Sequence, residues 1–265
     1  MRASRVSIEL KSPAEIVAMR RAGRIVANIL ESLSALVKPG ARTSDLDDAA
    51  AEMLKLYEAR PAFLGYRGFP KTLCVSINSE VVHGIPRPSR LVKSGDVVSL
   101  DFGCVWNGFY ADAAVTVGVA PVSKEAARLI EVARRSLDSG IAAMRLGGRV
   151  GDISNAVQED VESNGFSVVR EFVGHGIGRA LHEDPQVPNF GKRGTGPRIE
   201  AGIVLAIEPM VTAGSGDVEV LADGWTAVTR DRSLAAHFEH TVAMTEEGAE
   251  ILTLPGPMGE NGQRG

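Results

Sequence analysis

The stretch VVSLDFGCVWNGFYADAAVTVGV, residues 97–119, predicts a β-hairpin. Two runs of mainly apolar residues flank Asn107-Gly108, and Asn-Gly between such runs is the strongest short-range signal for a hairpin. If only these two residues form the loop, Trp106 lies opposite Phe109. Every other residue pair of the two strands then follows from that register.

Two carboxylates lie on the same face of the predicted hairpin. The register places Asp112 opposite Gly103 and Asp101 opposite Ala114. Side chains alternate along a strand, so Asp101 and Asp112 become diagonal neighbours, about 7–8 Å apart at Cα. Carboxylates at this spacing repel each other, and a cation between them would explain the arrangement.

The other residues of the hairpin leave two interpretations open. The opposite face is apolar and is the expected core side, with Leu100, Phe102, Ala113, Val115 and Val117. Aspartate is usually exposed, so both carboxylates could simply face water. The acidic face contains no lysine or arginine, however, which is unusual for an open sheet surface. This weakens the interpretation that both carboxylates face water, and if another segment covers this face, two unpaired carboxylates there would be costly.

Around the hairpin, helices and strands are predicted in the same order twice. Ser12-Pro13-Ala14-Glu15 is a capping box with proline at the first helical position, and the helix it opens ends at Pro39-Gly40. A shorter helix from about Ser44 and a strand at residues 74–78 follow. The second half is predicted to contain a helix from Ser123 to about Leu146, a shorter helix from Asp152, and strands at 167–173, 203–212, 225–229 and 236–244.

The two halves match at a constant offset of 107 positions. The pairs are Gly40 and Gly147, Arg42 and Arg149, Asp45 and Asp152, Leu46 and Ile153, Ala49 and Ala156, Gly95 and Gly202, and Asp101 and Glu208. Chance agreement between two helix–turn–strand units is the alternative. The favoured interpretation is a duplicated α+β chain, with two αβ halves around a pseudo-twofold axis. A site between the halves would take one strand carboxylate from each.

Three of the five histidines lie where binding sites are often built. His83, His175 and His182 occur in or beside turns rich in glycine and proline. The glycines on both sides of His175 let backbone approach closely and leave its imidazole accessible. His237 and His240 are predicted to be ordinary polar residues of the fold.

Two further acids, Glu208 and Glu239, interrupt apolar strands. Taken alone, each is as well explained by a structural ion pair as by a metal ligand. Together with Asp101 and Asp112 they contribute four negative charges, which two divalent cations would balance, and His175 adds a neutral nitrogen ligand. Such a dinuclear site of hard ligands suits Mn, Fe, Co or Zn, and it would activate water for hydrolysis, most plausibly of an amide.

The ordered motifs LDFG, NGFYADAAVTV, GHGIGRALHEDP, AIEPM and FEHTV resemble those of the methionine aminopeptidases, and CVSIN followed by VVHGIP adds to the match. The resemblance extends from Ser12 to Leu252. It implies the pita-bread (creatinase/aminopeptidase) fold around a central antiparallel sheet. It also implies removal of the initiator methionine from nascent proteins and peptides with a small second residue. The short interval between Glu208 and Glu239 has no room for the type II insertion, so the chain resembles a bacterial-style type I enzyme.

The same resemblance assigns roles to particular residues. The metal ligands would be Asp101, Asp112, His175, Glu208 and Glu239. Glu208 would also transfer protons as the catalytic base, while His83 and His182 would contact the substrate amide and the tetrahedral intermediate. The methionine pocket would contain Phe63, Tyr66, Phe69, Cys74, Leu181 and Trp225. Phe63, Phe69 and Leu181 depart from residues often found in relatives, but the exchanges are apolar, so the pocket should still accept a thioether.

The composition and charge of the chain indicate which partners and which cellular compartment to expect. The chain has 265 residues and a formal net charge of −4 without a basic stripe, which argues against nucleic acid as a partner. Two cysteines without a CxxC spacing, no signal peptide and no apolar run of membrane length predict a cytoplasmic protein.

We expect an N-terminal segment (1–11), one catalytic domain (12–254, halves about 12–120 and 121–254) and a disordered tail (255–265). The protein is expected to be a monomer with a transient ribosome contact.

Two other functions remain as alternatives. A prolidase or aminopeptidase P would share the fold, but such enzymes have an additional N-terminal domain of substantial length. A non-catalytic scaffold relative would have lost metal ligands, whereas all five are present with both additional histidines. Metal analysis of the purified protein would separate an enzyme from a scaffold.

Overall fold

The computed structural model describes residues 8–257. Parts of two predicted segments, residues 1–7 of the N-terminal segment and 258–265 of the tail, lie outside the described residues. Within the tail, the backbone of Gly256 exchanges two hydrogen bonds with the side chain of Asn28, at 3.0 and 3.1 Å. None of the helices in residues 8–257 combines the length and apolar character needed to cross a membrane.

Within residues 8–257, two pairs of α-helices are each followed by a group of strands. The helices are α1 (Pro13–Leu36), α2 (Thr43–Leu56), α3 (Lys124–Ala143) and α4 (Val150–Ser163). The strands of the first half are β1 (Arg60–Pro61), β2 (Cys74–Ile77), β3 (Glu80–Val82), β4 (Val97–Trp106) and β5 (Phe109–Gly118). Those of the second half are β6 (Ser167–Val168), β7 (Gly174–Gly176), β8 (Glu183–Val187), β9 (Val204–Ile207), β10 (Met210–Thr212), β11 (Val218–Val220), β12 (Ala227–Thr229), β13 (Ala235–His237), β14 (Glu239–Thr245) and β15 (Gly248–Ile251).

The N-terminal helix begins as its sequence predicts. The Ser12 side chain accepts a hydrogen bond from the Glu15 backbone, and the Glu15 carboxylate accepts one from the Ser12 backbone. Two of the backbone N–H groups that a helix start leaves without partners are thereby satisfied. The apolar stripe of α1 then packs on β4 and β5. The cap therefore sets where α1 begins, and its packing on the sheet stabilises the same segment as a helix.

The central sheet is built around the predicted hairpin. Its strand order is β1-β4-β5-β14-β9-β7-β8, with β2 also paired to β4 and β15 to β14. Trp106 lies opposite Phe109, and the register places Asp101 opposite Ala114, as predicted. Two three-stranded sheets, β13-β10-β6 and β11-β12-β3, complete the described strands.

The offset of 107 positions recurs in the geometry of the chain. Helices α2 and α4 begin and end at matching positions. An isolated bridge joins Arg42 to Leu91 in the first half, and another joins Arg149 to Arg198 in the second. The paired turn glycines, Gly40 with Gly147 and Gly95 with Gly202, all have positive φ between 80° and 93°. The repeated turn chemistry therefore produces repeated backbone structure.

The two halves have separate cores on the helical side of the sheet. One cluster combines α1 and α2 with β4 and β5 and contains the predicted core residues Leu100, Phe102 and Ala113. The other combines α3 and α4 with β9 and β14. Because side chains alternate along a strand, this packing turns Asp101 and Asp112 toward the opposite face of the sheet.

Several predicted strands are shorter or broken in the structure. The predicted strand at 203–212 is interrupted at Glu208-Pro209, because proline cannot donate a ladder hydrogen bond. The predicted strand at 236–244 is interrupted at Phe238, and of residues 167–173 only Ser167–Val168 form a strand. At Glu208-Pro209 the chain passes from the central sheet (β9) to the sheet β13-β10-β6, and at Phe238 it passes back from that sheet (β13) to the central sheet (β14).

Candidate active site

Five adjacent strands of the central sheet each bring one potential metal ligand to the same region. Asp101 lies in β4, Asp112 in β5, Glu239 at the start of β14, Glu208 directly after β9, and His175 in β7. Ala114 of β5 lies opposite Asp101 on one side and opposite Glu239 on the other. The pairing of β14 with β9 ends one position short of Glu239 and Glu208, so these two acids are also neighbours.

The carboxylates of Asp101, Asp112 and Glu239 are buried and incompletely hydrogen-bonded, whereas the Glu208 side chain is 13% exposed. Asp112 is 5% exposed and Glu239 is 2% exposed. One oxygen each of Asp101, Asp112 and Glu239 has no hydrogen-bond partner within residues 8–257. Asp112, His175 and Glu239 each offer a ligand atom within 4.8 Å of the other two. Buried oxygens without partners are costly unless something else binds them, and a cation is the partner that carboxylates share.

Burial and mutual repulsion disfavour the charged forms of these acids. Burial raises the pKa of Asp101 to about 7. Burial, followed by repulsion from the neighbouring carboxylates, raises the pKa of Asp112, Glu208 and Glu239 well above the usual range. Divalent cations would reverse this effect, since they stabilise the ionised form of each ligand.

His175 presents a free nitrogen to the cluster. Its Nδ1 lies 2.9 Å from the carbonyl oxygen of Gly176, which can only accept, so Nδ1 carries the proton. The lone pair of Nε2 then faces Glu208, whose Oε1 lies 3.4 Å away. Burial lowers the pKa of His175 to about 3, which keeps the ring neutral. A neutral imidazole oriented by a backbone carbonyl is the form that ligates metals.

A cleft with a cavity volume of about 150 Å³ opens onto the cluster. Its lining includes every residue that the sequence suggested for the site: Asp101, Asp112, His175, Glu208, Glu239, His83, His182, Phe63, Tyr66, Phe69, Cys74, Leu181 and Trp225. Arg67 is the one further lining residue. The structure therefore brings the predicted ligands, the two additional histidines and the predicted pocket into one cavity.

The apolar wall of the cleft also belongs to a hydrophobic core cluster. Phe63, Phe69, Cys74 and Leu181 are buried members of this cluster, and Tyr66 and Trp225 pack against it. The rings of Phe69 and Trp225 meet edge to face, with centroids 5.1 Å apart. Cys74 lies opposite Asp101 in the sheet, and burial, with nearby carboxylates, raises the pKa of its thiol. Cys74 therefore contributes a neutral thiol to an apolar wall.

His83 and His182 lie at other edges of the cleft. His83 follows β3 with a positive φ of 60°, a backbone conformation that is uncommon for residues other than glycine. Its ring meets Phe172 edge to face, and burial lowers its pKa to about 4. His182 is more exposed, and its ring centroid lies 4.1 Å from that of His175. Desolvation, and then the charge of Arg67, lowers the pKa of His182.

Two residues near the cluster were not singled out by sequence reasoning as site residues. Arg67 lies between Tyr66 and Phe69, two residues that were predicted to line the pocket. Its position in the sequence therefore indicated that it could also line the cleft. His237 was expected to be an ordinary polar residue, yet it is 1% exposed and neither ring nitrogen has a hydrogen-bond partner in the described chain. Its Nε2 lies 3.8 Å from the Glu208 carboxylate. The position of His237, two residues before Glu239, was the feature of the sequence that could have indicated its place near the cluster.

The donor set fits divalent metal ions. Four carboxylates and one neutral imidazole line the same cleft, and three of the carboxylate oxygens lack hydrogen-bond partners within residues 8–257. These are hard oxygen and nitrogen ligands without thiolate, which suits catalytic rather than structural metal sites. A buried ligand cluster that opens to a substrate-sized, partly apolar cleft defines the class of metal-dependent hydrolases.

Comparison with known proteins places the chain within that class. Residues 17–246 match the model of metallopeptidase family M24. The methionine aminopeptidase of Clostridium acetobutylicum is 50% identical over 93% of this chain and 99% of its own length. Methionine aminopeptidase 1 of Bacillus subtilis is 51% identical over 92% of this chain and 98% of its own length. The chain therefore belongs to metallopeptidase family M24, among its methionine aminopeptidases.

Solved structures agree with this assignment. The methionine aminopeptidase of Thermotoga maritima superposes with a TM-score of 0.92 at 48% identity, covering 94% of this chain and all of that one. A prolidase from Pyrococcus furiosus superposes with a TM-score of 0.76 at 20% identity and shows the shared fold alone. This chain covers 66% of that prolidase. The predicted pita-bread fold is confirmed.

Without metal, the folded protein should lose stability as pH rises from about 6.5 to 8. Asp101 has a folded pKa of about 7 against an ordinary value of 3.8, so the folded state retains protons that the unfolded chain releases. Its contribution to stability, on the order of 4 kcal/mol at low pH, is lost progressively as pH rises from about 4 to 7.5, so the part that disappears between pH 6.5 and 8 is on the order of 1 kcal/mol. The buried histidines act oppositely, but only below about 6.5, where the unfolded chain gains protons first.

Urea unfolding in chelator at pH 6.5 and pH 8 measures this effect. The free energy of unfolding should be lower at pH 8, and the difference should shrink when a divalent metal is restored. Equal stability of the chelated protein at both pH values would contradict the assignment of strongly raised carboxyl pKa values.

Proposed function

We propose that this chain removes the initiator methionine from nascent proteins and peptides whose second residue is small. The observation that carries the proposal is the position of the carboxylate–imidazole cluster at the base of a cleft with an apolar, sulfur- and aromatic-containing wall. The wall accommodates one flexible apolar side chain, while the cluster lies where the following amide would be placed. The cleft thus suits cleavage after a single N-terminal residue.

Two divalent ions are proposed to occupy the cluster, held by Asp101, Asp112, His175, Glu208 and Glu239. The four carboxylates among these residues carry four negative charges, which two divalent cations would balance. Co, Mn, Fe and Zn all accept oxygen and nitrogen ligands of this kind. When bound, these ions supply a nucleophile from water at neutral pH and stabilise charge on the attacked carbonyl oxygen. Which metal serves in the cell depends on availability as much as on affinity.

Protein side chains then handle the protons and the developing charge. Glu208 is the proposed base, since its side chain is only 13% exposed, lines the cleft and lies near both His175 and His237. It would accept a proton from the nucleophile and transfer it to the leaving amine. His83 and His182 would donate hydrogen bonds to the substrate amide and to the oxygen of the tetrahedral intermediate, where charge increases during the reaction.

The cellular setting follows from the proposed activity. The substrate is the N-terminal methionine of a nascent polypeptide, so we place the enzyme in the cytoplasm with transient ribosome contact. We also propose that it acts as a monomer. Neither nucleic acid nor membrane is a proposed partner. The catalytic domain is taken as residues 12–254, with its two halves meeting near residue 120.

A peptide panel tests the proposed specificity. In Met-X-Ser peptides, kcat/KM should fall steeply as X grows from Gly, Ala and Ser toward Trp, because X must fit beside two imidazoles above the metal ligands. Leu-Ala-Ser should be cleaved about 10–200-fold less efficiently than Met-Ala-Ser, the range of discrimination that apolar pockets achieve. Contact between the thioether and the aromatic wall adds to the preference for methionine.

The panel should include peptides with proline and each metal restored separately to chelated enzyme. Equal kcat/KM for small and bulky X, or for leucine and methionine, would overturn the methionine-specific function but leave a metallohydrolase. A preference for the bond before proline would instead support a prolidase-like activity. Cleavage in excess chelator would overturn the metal-dependent mechanism.

A further inference from the structure

Tyr66 forms a direct contact with His182 that the proposed reaction leaves unexplained. The phenolic oxygen of Tyr66 lies 2.8 Å from Nδ1 of His182. The two rings also stack, with centroids 5.2 Å apart and planes inclined by 26°. We propose that Tyr66 is a positioning residue that fixes both the orientation and the tautomer of His182, so that Nε2 carries a proton toward the substrate.

The chemistry of the two groups sets the direction of this hydrogen bond. In a neutral imidazole one nitrogen donates and the other accepts, and a hydroxyl can rotate to suit either. The Arg67 guanidinium lies 5.4 Å from the Tyr66 ring centroid. A nearby cation makes the phenolic O–H a stronger donor and its oxygen a weaker acceptor, so the hydroxyl donates to Nδ1. The proton of the neutral imidazole then resides on Nε2.

The loop that carries Tyr66 holds the hydroxyl in place. The Tyr66 backbone N–H donates to the Phe63 carbonyl, and the Tyr66 carbonyl accepts from the Phe69 N–H, both at 2.9 Å. Phe63 and Phe69 are buried at the two ends of this turn. Gly65 and Arg67 both have positive φ, of 83° and 48°, which tightens the turn around Tyr66. The hydroxyl is thus presented by an anchored turn and not by a flexible side chain alone.

This arrangement couples the pocket to the reacting centre. Tyr66 is part of the apolar wall and also the partner of His182. A side chain that fills the pocket would pack against the phenol ring and restrict it further. Because the hydrogen bond orients a group that acts on the transition state, its loss should reduce kcat more than it changes KM. The inference rests on the proposed role of His182.

The Tyr66→Phe variant removes only the hydroxyl, and Tyr57→Phe is the matched control because Tyr57 lies outside the cleft. In metal-free protein labelled with 15N-histidine, the imidazole nitrogen shifts of His182 report its tautomer, with the signal assigned by its absence in His182→Gln. Wild-type protein and Tyr57→Phe should show the Nε2–H tautomer. Tyr66→Phe should show a mixture of both tautomers.

Kinetics provide a second measurement. On Met-Ala-Ser, Tyr66→Phe should lower kcat about tenfold, as expected for one hydrogen bond between neutral groups, with KM changed less than twofold. An unchanged tautomer together with wild-type kcat would overturn the positioning role. So would a large rise in KM with unchanged kcat, since Tyr66 would then act only as pocket wall. Failure of the proposed function would appear differently, as wild-type enzyme that does not cleave Met-Ala-Ser, while the tautomer measurement remains decisive for Tyr66.

Discussion

Replacing Asp112 with alanine is expected to release bound metal and abolish peptide hydrolysis, while making the metal-free protein harder to unfold. Asp112 offers a ligand atom within 4.8 Å of those of His175 and Glu239, and one of its oxygens has no partner among the described residues. Loss of an outer-shell partner already reduces metal affinity or activity by about 10–100-fold, so loss of a direct charged ligand should exceed that range.

The expected gain in stability of the metal-free variant also arises from the buried position of the Asp112 carboxylate. Asp112 is buried beside Asp101 and near Glu208, and both burial and their charges raise its pKa. Without metal, the folded state keeps a carboxyl group in a place that disfavours its charge. Alanine removes this group, so the free energy of unfolding in chelator at pH 8 should rise; the upper limit is about 1–4 kcal/mol, the gain seen when buried ion pairs are replaced by apolar residues of similar volume, because alanine is smaller than aspartate.

Asp160 provides a matched control for the Asp112 variant. Its carboxylate is half-buried outside the cleft, where it accepts hydrogen bonds from Arg135 and Ser139. Asp160→Ala should leave metal content and kcat unchanged and should lower stability. Elemental analysis after dialysis, kcat/KM on Met-Ala-Ser and urea unfolding separate the two variants. Full metal content in Asp112→Ala, or a large loss of stability in chelator, would contradict the assignment of Asp112 as a ligand.

The hairpin shows how far local sequence can predict this fold. Asn107-Gly108 fixes a two-residue turn, both residues have positive φ, and all ten pairs of the two strands follow the predicted register. The alternation of side chains then places Asp101 and Asp112 on one face without further information. Their burial could not be derived in this way, because the segments that cover that face are distant in sequence.

Other parts of the sheet were not predictable for physical reasons. Residues 174–176 form the short strand β7, whose Gly-His-Gly sequence has no apolar periodicity. Strand β8 contains Pro185, which sequence reasoning excludes from a central strand, and it forms at the edge of the sheet. Both strands depend on pairing with distant partners, since neither sequence favours a strand by itself.

The residues that line the cleft could be named from the sequence more completely than the strands that carry them. A ligand set is specified by residue type and order along the chain, whereas the position of a short strand depends on the whole sheet. His237 illustrates the limit: its sequence context is that of an ordinary strand residue, and only the fold brings its imidazole within 3.8 Å of Glu208. Arg67 was overlooked because a charged residue in a loop is usually assumed to face water.

Replacing either His83 or His182 with alanine should strongly reduce kcat without removing metal. Both rings line the cleft, and neither is among the five residues proposed to hold the metal ions. Their proposed hydrogen bonds strengthen as charge develops on the substrate oxygen and leaving nitrogen. Loss of one such donor typically reduces the rate by about 10²–10³-fold, and the effect should fall mainly on kcat.

Glutamine at each position provides the conservative comparison, since its amide can also donate a hydrogen bond into the cleft. His182→Gln and His83→Gln should therefore retain more activity than the alanine variants, with the same metal content as wild type. The backbone of His83 has positive φ, so unfolding of its variants should be measured alongside kinetics to separate misfolding from lost chemistry. If His83→Ala or His182→Ala instead lost metal in proportion to activity, that histidine would be a metal ligand, and the division between metal-holding and substrate-contacting residues would have to be redrawn.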